Sequence, residues 1–239
     1  MASRYLPVVV LLITIFFSCK AEKPVEHKRS EPVVIVKTKP PLLSKEQQHE
    51  LGFPADLIAQ IELAAGADAE PFFATDVISS ENMKGEKGFE QERLAGFSVR
   101  TKKTDEIIAM LRAQLRARGY LIFKSHKGYG SLPDIVTVIE GSNSYDILKM
   151  QRTEAPNYQL DTKSIIAWLK EQQKQGTFVI AGAGPDWLEA RFIRQPKSMQ
   201  AFAKKVVTFA PDVLDQGPKT VDKLVERMNR TNGFYLLWD

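Results

Sequence analysis

An apolar run near the start of the chain constrains its fold more than any other feature of the sequence. The run extends over thirteen residues, from Tyr5 to Phe17, with Arg4 before it and a polar, highly charged stretch after Cys19. As a helix it would rise only about 20 Å, short of the roughly 30 Å hydrocarbon core of a bilayer. A basic start, a short apolar stretch and a small residue before a cut are typical of a secretory signal. The sequence therefore predicts a signal peptide over residues 1–18, with an uncleaved anchor as an alternative.

The only cysteine of the chain, Cys19, lies at the expected cut. The sequence Phe16-Phe17-Ser18-Cys19 resembles the lipobox of bacterial lipoproteins, with a bulky apolar residue three positions before the cysteine and a small residue directly before it. The resemblance implies that the thiol carries a diacylglyceryl group and that the new amino terminus is acylated. Lipidation also gives a use to a lone thiol that cannot form an internal disulfide. A plain cleaved signal peptide stays a second alternative.

The lipid bilayer, contacted through acylated Cys19, is the first expected partner, because two or more acyl chains hold a protein firmly at a membrane. Lys20 follows the cysteine, whereas an aspartate at that position resembles the inner-membrane retention signal of some bacteria. We therefore expect a lipid-anchored protein of the bacterial cell envelope, at the outer membrane and facing the periplasm or the exterior.

Residues 19–42 are predicted to form a disordered tether. They hold Pro24, Pro32, Pro40 and Pro41, many charges and no aromatic residue, and such a composition cannot bury enough apolar surface to order itself. The whole chain has 33 Lys and Arg against 29 Asp and Glu, but seven of the basic and three of the acidic residues lie within residues 1–39. The rest of the chain is therefore neutral and lacks the basic excess of a nucleic-acid-binding domain, so no nucleic-acid partner is predicted.

The pattern after the tether predicts a helical and irregular segment over residues 43–95 and an α+β domain over residues 96–239. In the first part a helix over residues 55–65 follows Pro54 and stops at Gly66, whereas residues 81–92 are predicted to be a charged surface loop. In the second part helices are expected over 104–118, 162–175, 196–209 and 220–231, and strands over 96–100, 120–123, 135–139, 178–181, 187–193 and 234–238. This order favours the α+β class, with a mixed, largely antiparallel sheet and helices packed on it.

Several blocks in the C-terminal part resemble the bacterial domain of unknown function 4253 family. They are Tyr145–Leu148, Asn157-Tyr158, Ile165–Leu169, Pro211–Gly217 and Leu236–Asp239, in this order along the chain. The similarity covers roughly residues 97–239. It implies a domain rather than an activity.

The candidate ligand-binding residues lie in three polar segments. Asp212, Asp215 and Gln216 fall between Pro211 and Gly217. Their oxygen atoms suit Ca²⁺ or Mg²⁺, although aspartates in such a turn more often cap helix ends, and this second reading is favoured. Because the alternating acids of a calcium loop are absent, and His27, His49 and His126 lack metal-ligand spacing, no metal site and no cofactor are predicted.

The two other segments are shorter. Asp186 and Trp187 follow the glycine-rich stretch 182–184, whose proline and following strand favour a hairpin turn over a phosphate-binding loop. Asn157 and Tyr158 follow a proline and either contact a ligand from a loop or hydrogen-bond the local turn, which turn chemistry favours. Trp187 is expected to belong to the core.

The sequence thus favours a lipid-tethered, non-enzymatic module that binds a protein or a small ligand. One alternative is a metal-assisted hydrolase built around Asp212 and Asp215, with Asp186 nearby. Another is an immunity-type partner of a toxin. Clustering of the three aspartates with Asn157 in one concave pocket would favour the enzyme.

Overall fold

The computed structural model describes residue 46, residues 52–81 and residues 87–239, with side chains left out over residues 75–91. The predicted signal peptide over residues 1–18, Cys19 and the tether over residues 19–42 lie outside the described residues. The first residues of the predicted helical and irregular segment, 43–51, also lie outside them, except for Glu46, which is helical. In the part of the chain that is described, no helix has both the length and the apolar character needed to cross a bilayer.

Seven strands form a single mixed sheet in the described part of the chain, in the order β1-β2-β4-β3-β5-β6-β7. The strands are β1 (Glu70–Glu81), β2 (Lys87–Thr101), β3 (Tyr120–His126), β4 (Asp134–Glu140), β5 (Thr177–Ala183), β6 (Trp187–Arg194) and β7 (Gly233–Leu237). Every neighbouring pair is antiparallel except β3 and β5, which run parallel. The prediction of an α+β fold with a mixed, largely antiparallel sheet is therefore confirmed.

Helices connect the strands and cover both faces of the sheet. They are α1 (Ala55–Ala65), α2 (Thr104–Ala117), α3 (Asp146–Met150), α4 (Thr162–Gln172), α5 (Met199–Phe209), α6 (Asp212–Asp215) and α7 (Val221–Thr231), with a 3₁₀ turn at Pro156–Tyr158. The side chains of Asp161, Ser198 and Thr220 accept hydrogen bonds from backbone N–H groups at the starts of α4, α5 and α7. These caps satisfy amides that the helices themselves leave unpaired.

Alternation along the strands divides the core into two apolar layers. On β3, Ile122 packs in the layer that contains α1 and α2, whereas Leu121 and Phe123 pack in the layer that contains α4, α5 and α7. This follows from the strand geometry, in which successive side chains point to opposite faces. The smaller layer covers only the β2-β4-β3 part of the sheet.

Three features of the described chain differ from those expected. The surface loop predicted over residues 81–92 is wrong at Glu81 and over residues 87–92, because β1 continues to Glu81 and β2 begins at Lys87. Residues 82–86 lie outside the described residues. A ladder of backbone hydrogen bonds holds this hairpin, and a polar ribbon need not show the apolar alternation by which strands are recognised. Helix α5 begins at Met199 rather than at residue 196, because the Ser198 side chain caps it. Strand β2 also runs across the boundary expected at residue 96.

Candidate functional site

A crevice opens where the two parallel strands end. Strands β3 and β5 pair at Lys124 and Gly182 and therefore finish at the same edge of the sheet. The chain leaves β3 toward β4 on one side and leaves β5 toward β6 on the other, so the two loops diverge. In open sheets such a point is where ligands commonly bind. A cavity of about 650 Å³ lies here, lined by both loops, β7 and helices α6 and α7.

Gln151 joins the ends of these two strands. Its buried side-chain amide donates to the carbonyl of Ser125 at 3.2 Å and to the carbonyl of Ala183 at 2.8 Å. The neighbouring Thr153 hydroxyl donates to the carbonyl of Gly184 at 2.8 Å. These bonds satisfy carbonyls that the single-pair parallel ladder leaves free, and they hold the rim of the crevice in place.

Trp187 forms a fixed wall of the cavity. A Cβ atom added to Gly184 would lie 2.2 Å from the indole Nε1, and one added to Gly182 would lie 3.1 Å from the far edge of the ring. Glycine at both positions therefore makes room for the indole. Trp187 is only 9% exposed and also packs 6.0 Å from the ring of Tyr235, as expected of a core residue.

Lys127 is the most unusual charged group of the cavity. Its ammonium lies 3.6 Å from the ring centroid of Tyr235 and 5.1 Å from that of Trp187. Among the described residues no carboxylate lies within ion-pair distance of it. Burial lowers the pKa of Lys127 to about 8, because desolvation outweighs the attraction of Glu189.

Lys124 lies three residues earlier, on β3, and unlike Lys127 it is surrounded by carboxylates. Its ammonium lies 3.3 Å from Glu189, 3.5 Å from Asp105 and 3.6 Å from Asp134. Burial alone would lower the pKa of Lys124, but these three carboxylates overcome it and raise the pKa. The comparison indicates that Lys124 is a structural cation, whereas Lys127 has a charge that the described residues do not neutralise.

Arg227 is a second cation at the same cavity. It projects from α7, and its guanidinium carbon lies 5.9 Å from the ring of Tyr235. No ion pair joins it to a carboxylate in the described part of the chain. Burial and the negative charge of Asp186 raise the pKa of Tyr235, so this phenol stays neutral between the two cations.

The residues predicted from the sequence divide into two groups. Asp186, Trp187 and Gln216 line the cavity, together with Asp239. Asp215 ends α6 away from it, and its carbonyl accepts a hydrogen bond from the Lys219 ammonium.

Asp212, Asn157 and Tyr158 hold the end of β7 instead. One carboxylate oxygen of Asp212 accepts from the Tyr158 hydroxyl at 2.7 Å, and the other accepts from the backbone N–H of Asp239 at 2.7 Å. The Asn157 amide donates to the Asp239 carbonyl at 3.2 Å, and the Gln216 amide donates to its carboxylate at 2.5 Å. Asp212 therefore satisfies a backbone N–H group, as predicted, although the group belongs to Asp239 and not to a helix end. Tyr158 also makes the local turn bond that was favoured, through its backbone N–H to the Ala155 carbonyl.

The three aspartates and Asn157 do not share one pocket. Over residues 52–81 and 87–239, no group of three or more His, Cys, Asp or Glu side chains is arranged to hold a metal ion. The cations Lys127 and Arg227 and the bridging Gln151 were missed by sequence reasoning. Of these three, only Lys127 lies in a sequence context that could have indicated a site, because it follows an apolar strand and precedes Gly128 and Gly130. The positions of the other two depend on the fold.

A comparison with protein families finds one match. Residues 135–239 match the family model described as Domain of unknown function (DUF4253), which confirms the resemblance predicted for the C-terminal part over these residues. Searches of curated proteins and of solved structures find no match. The matched region contains Trp187, Arg227 and Tyr235, whereas Lys127 precedes it.

Proposed function

We propose that the chain is a lipid-anchored module of the bacterial cell envelope that binds a small anionic ligand in the cavity beyond β3 and β5. The observation that carries the proposal is the pair of cations, Lys127 and Arg227, which line this cavity without a carboxylate partner in the described residues. A carboxylate or phosphate group on a ligand would supply the missing charge.

Lys127 and Arg227 are both partly withdrawn from water. A charge withdrawn from water costs free energy unless it is paired. The aromatic faces of Tyr235 and Trp187 offset part of this cost for Lys127, at about 0.5–2 kcal/mol for a cation on a ring. An anion beside Lys127 and Arg227 would offset more of it, since an ion pair is least screened where solvent is excluded. A solvent-exposed lysine would offer no such gain.

The state of Asp212 favours binding over hydrolysis. Both of its carboxylate oxygens already accept hydrogen bonds, from Tyr158 and from the backbone of Asp239. A carboxylate engaged in this way is poorly placed to bind a cation or to remove a proton from water. Asp186 is exposed and lines the cavity, where it helps to select against ligands with a second negative charge.

The binding proposal is tested by nuclear magnetic resonance on the purified full chain labelled with ¹⁵N. Acetate and inorganic phosphate are titrated separately at constant ionic strength. We expect saturable shifts of the Trp187 indole N–H and the Arg227 Nε–H signals. Lys127→Gln and Arg227→Gln each weaken binding several-fold, whereas Lys205→Gln, at an exposed position on α5, leaves it unchanged. Shifts that do not saturate, or that persist in the double variant, contradict the proposal.

The anchor is tested separately, by growing cells that produce the full chain in radioactive palmitate. Label is expected on the wild-type chain and not on Cys19→Ser, because acylation requires the thiol. Retention of label by Cys19→Ser would rule out this lipoprotein assignment without affecting the ligand proposal.

A further inference from the structure

A second cavity borders the first. Its volume is about 230 Å³, and it lies between the start of β1 and the face of β2, β3 and β4. Ser125 and His126, at the end of β3, line both cavities. The two cavities are therefore adjacent, and these two residues form their common border at the end of β3. Beside the second cavity the pairing of β1 with β2 is irregular on both sides of Phe73.

The polar groups of the second cavity are already paired with one another. Thr137 links the hydroxyls of Ser98 and Ser125, at 2.7 Å from each. Arg100 Nε lies 3.0 Å from a carboxylate oxygen of Glu70. A ligand in this cavity therefore meets few free donors or acceptors apart from the exposed imidazole of His126.

The remaining wall is apolar. Phe72 is buried, Phe73 is 41% exposed and Ile135 is half-buried. An apolar ligand group that contacts these side chains would remove their exposed surface from water. This removal favours binding, because burial of apolar surface lowers the free energy. In the first cavity, Lys127 and Arg227 have no carboxylate within ion-pair distance among the described residues, whereas the second cavity exposes an apolar wall.

We infer that the ligand is an anion with an apolar arm, whose charged group lies at Lys127 and Arg227 and whose arm passes Ser125 and lies against Phe73 and Ile135. This inference rests on the proposed function. Residues 125 and 127 are about 7 Å apart along an extended chain, so an arm of several carbons reaches the second cavity.

Acetate and octanoate, the latter below its micellar concentration, serve as matched probes on the full chain. Each methylene that becomes fully buried strengthens binding about four-fold, so octanoate is expected to bind at least ten-fold more tightly than acetate. Phe73→Ser should bring octanoate close to acetate and leave acetate unchanged, which also shows that the variant is folded. Ile193→Ser, which removes an apolar side chain that is 71% exposed on β6, is the control and should change neither affinity.

The position of the apolar arm is tested in the unaltered chain by nuclear Overhauser effects. We expect contacts from the octanoate methyl group to the ring of Phe73 and to the methyl groups of Ile135. Equal affinities for the two probes, or methyl contacts elsewhere, would overturn the inference and leave the anion site intact. Failure of both probes to bind would overturn the proposed function as well. Octanoate binding that stays equally tight in the double variant Lys127→Gln/Arg227→Gln would also overturn the inference, because the two cations would then not bind the carboxylate of the ligand.

Discussion

Replacement of Lys127 by methionine should stabilise the fold while it weakens anion binding. The folded state lowers the pKa of this lysine from 10.5 to about 8, which corresponds to roughly 3 kcal/mol at about 1.4 kcal/mol for each pH unit. Lys127 is only half-buried, and solvent screening reduces the effect. The variant also loses the contact of the ammonium with Tyr235, although a methionine sulfur partly replaces it. We expect a net gain of about 1 kcal/mol at pH 7.

The gain should depend on pH in a defined direction. The pKa of Lys127 is lower in the folded chain than in the unfolded chain, so the charged form destabilises the folded wild type. This destabilisation is present in full below about pH 8. This destabilisation decreases as the pH rises from about 8 to 10.5. Within that range Lys127 has lost its proton in the folded chain but keeps it in the unfolded chain. The free-energy difference between variant and wild type should therefore shrink over this window.

Urea unfolding at pH 7 and pH 10 measures the difference directly. Lys205→Met, at an exposed position on α5, controls for the general effect of removing a lysine and should change stability by less than about 0.5 kcal/mol. A Lys127→Met chain that is less stable than wild type at pH 7, or equally stabilised at both pH values, would refute the claim that this ammonium is desolvated.

Three further predictions concern the walls of the site. Asp212→Ala should lower the melting temperature by about 3 °C, because Tyr158 and the end of β7 lose their acceptor, and a ligand-free thermal melt checks this. Gly184→Ala should destabilise the folded chain by about 1–3 kcal/mol, because the new Cβ would collide with the Trp187 indole. The tryptophan fluorescence should change for the same reason, and an unchanged emission spectrum would contradict this prediction. Glu189→Gln should cost about 2 kcal/mol in urea unfolding, because buried Lys124 and half-buried Arg191 lose a shared carboxylate.

Local patterns were sufficient for most of the fold. The apolar spacing that predicts α1 and α2 reports directly which side of each helix is buried, and Thr220 identifies the start of α7 because its side chain caps that helix. The hairpin of β1 and β2 was missed beyond residue 81, since a ladder held by backbone hydrogen bonds leaves no required mark on side-chain polarity.

The site was predicted less well, for a different reason. Asp212 was selected because carboxylates perform much of the chemistry in proteins, yet here it holds the chain at Asp239. Lys127 and Arg227 are separated by 100 residues of sequence. They line one cavity only because the loop after β3 reaches Tyr235 on β7, with β5 and β6 between these strands in the sheet. The absence of a partner carboxylate is a property of the assembled fold, and no local pattern encodes it.

The protonation of Lys127 itself gives the most direct test of the anion site. The ε-carbon signals of ¹³C-labelled lysine can be followed against pH in the full chain, and a Lys127→Arg spectrum identifies the relevant signal. We predict a pKa of about 8 without added anion and a higher pKa in saturating acetate, because a bound negative charge favours the protonated form. A pKa near 10.5 that acetate does not change would contradict the account.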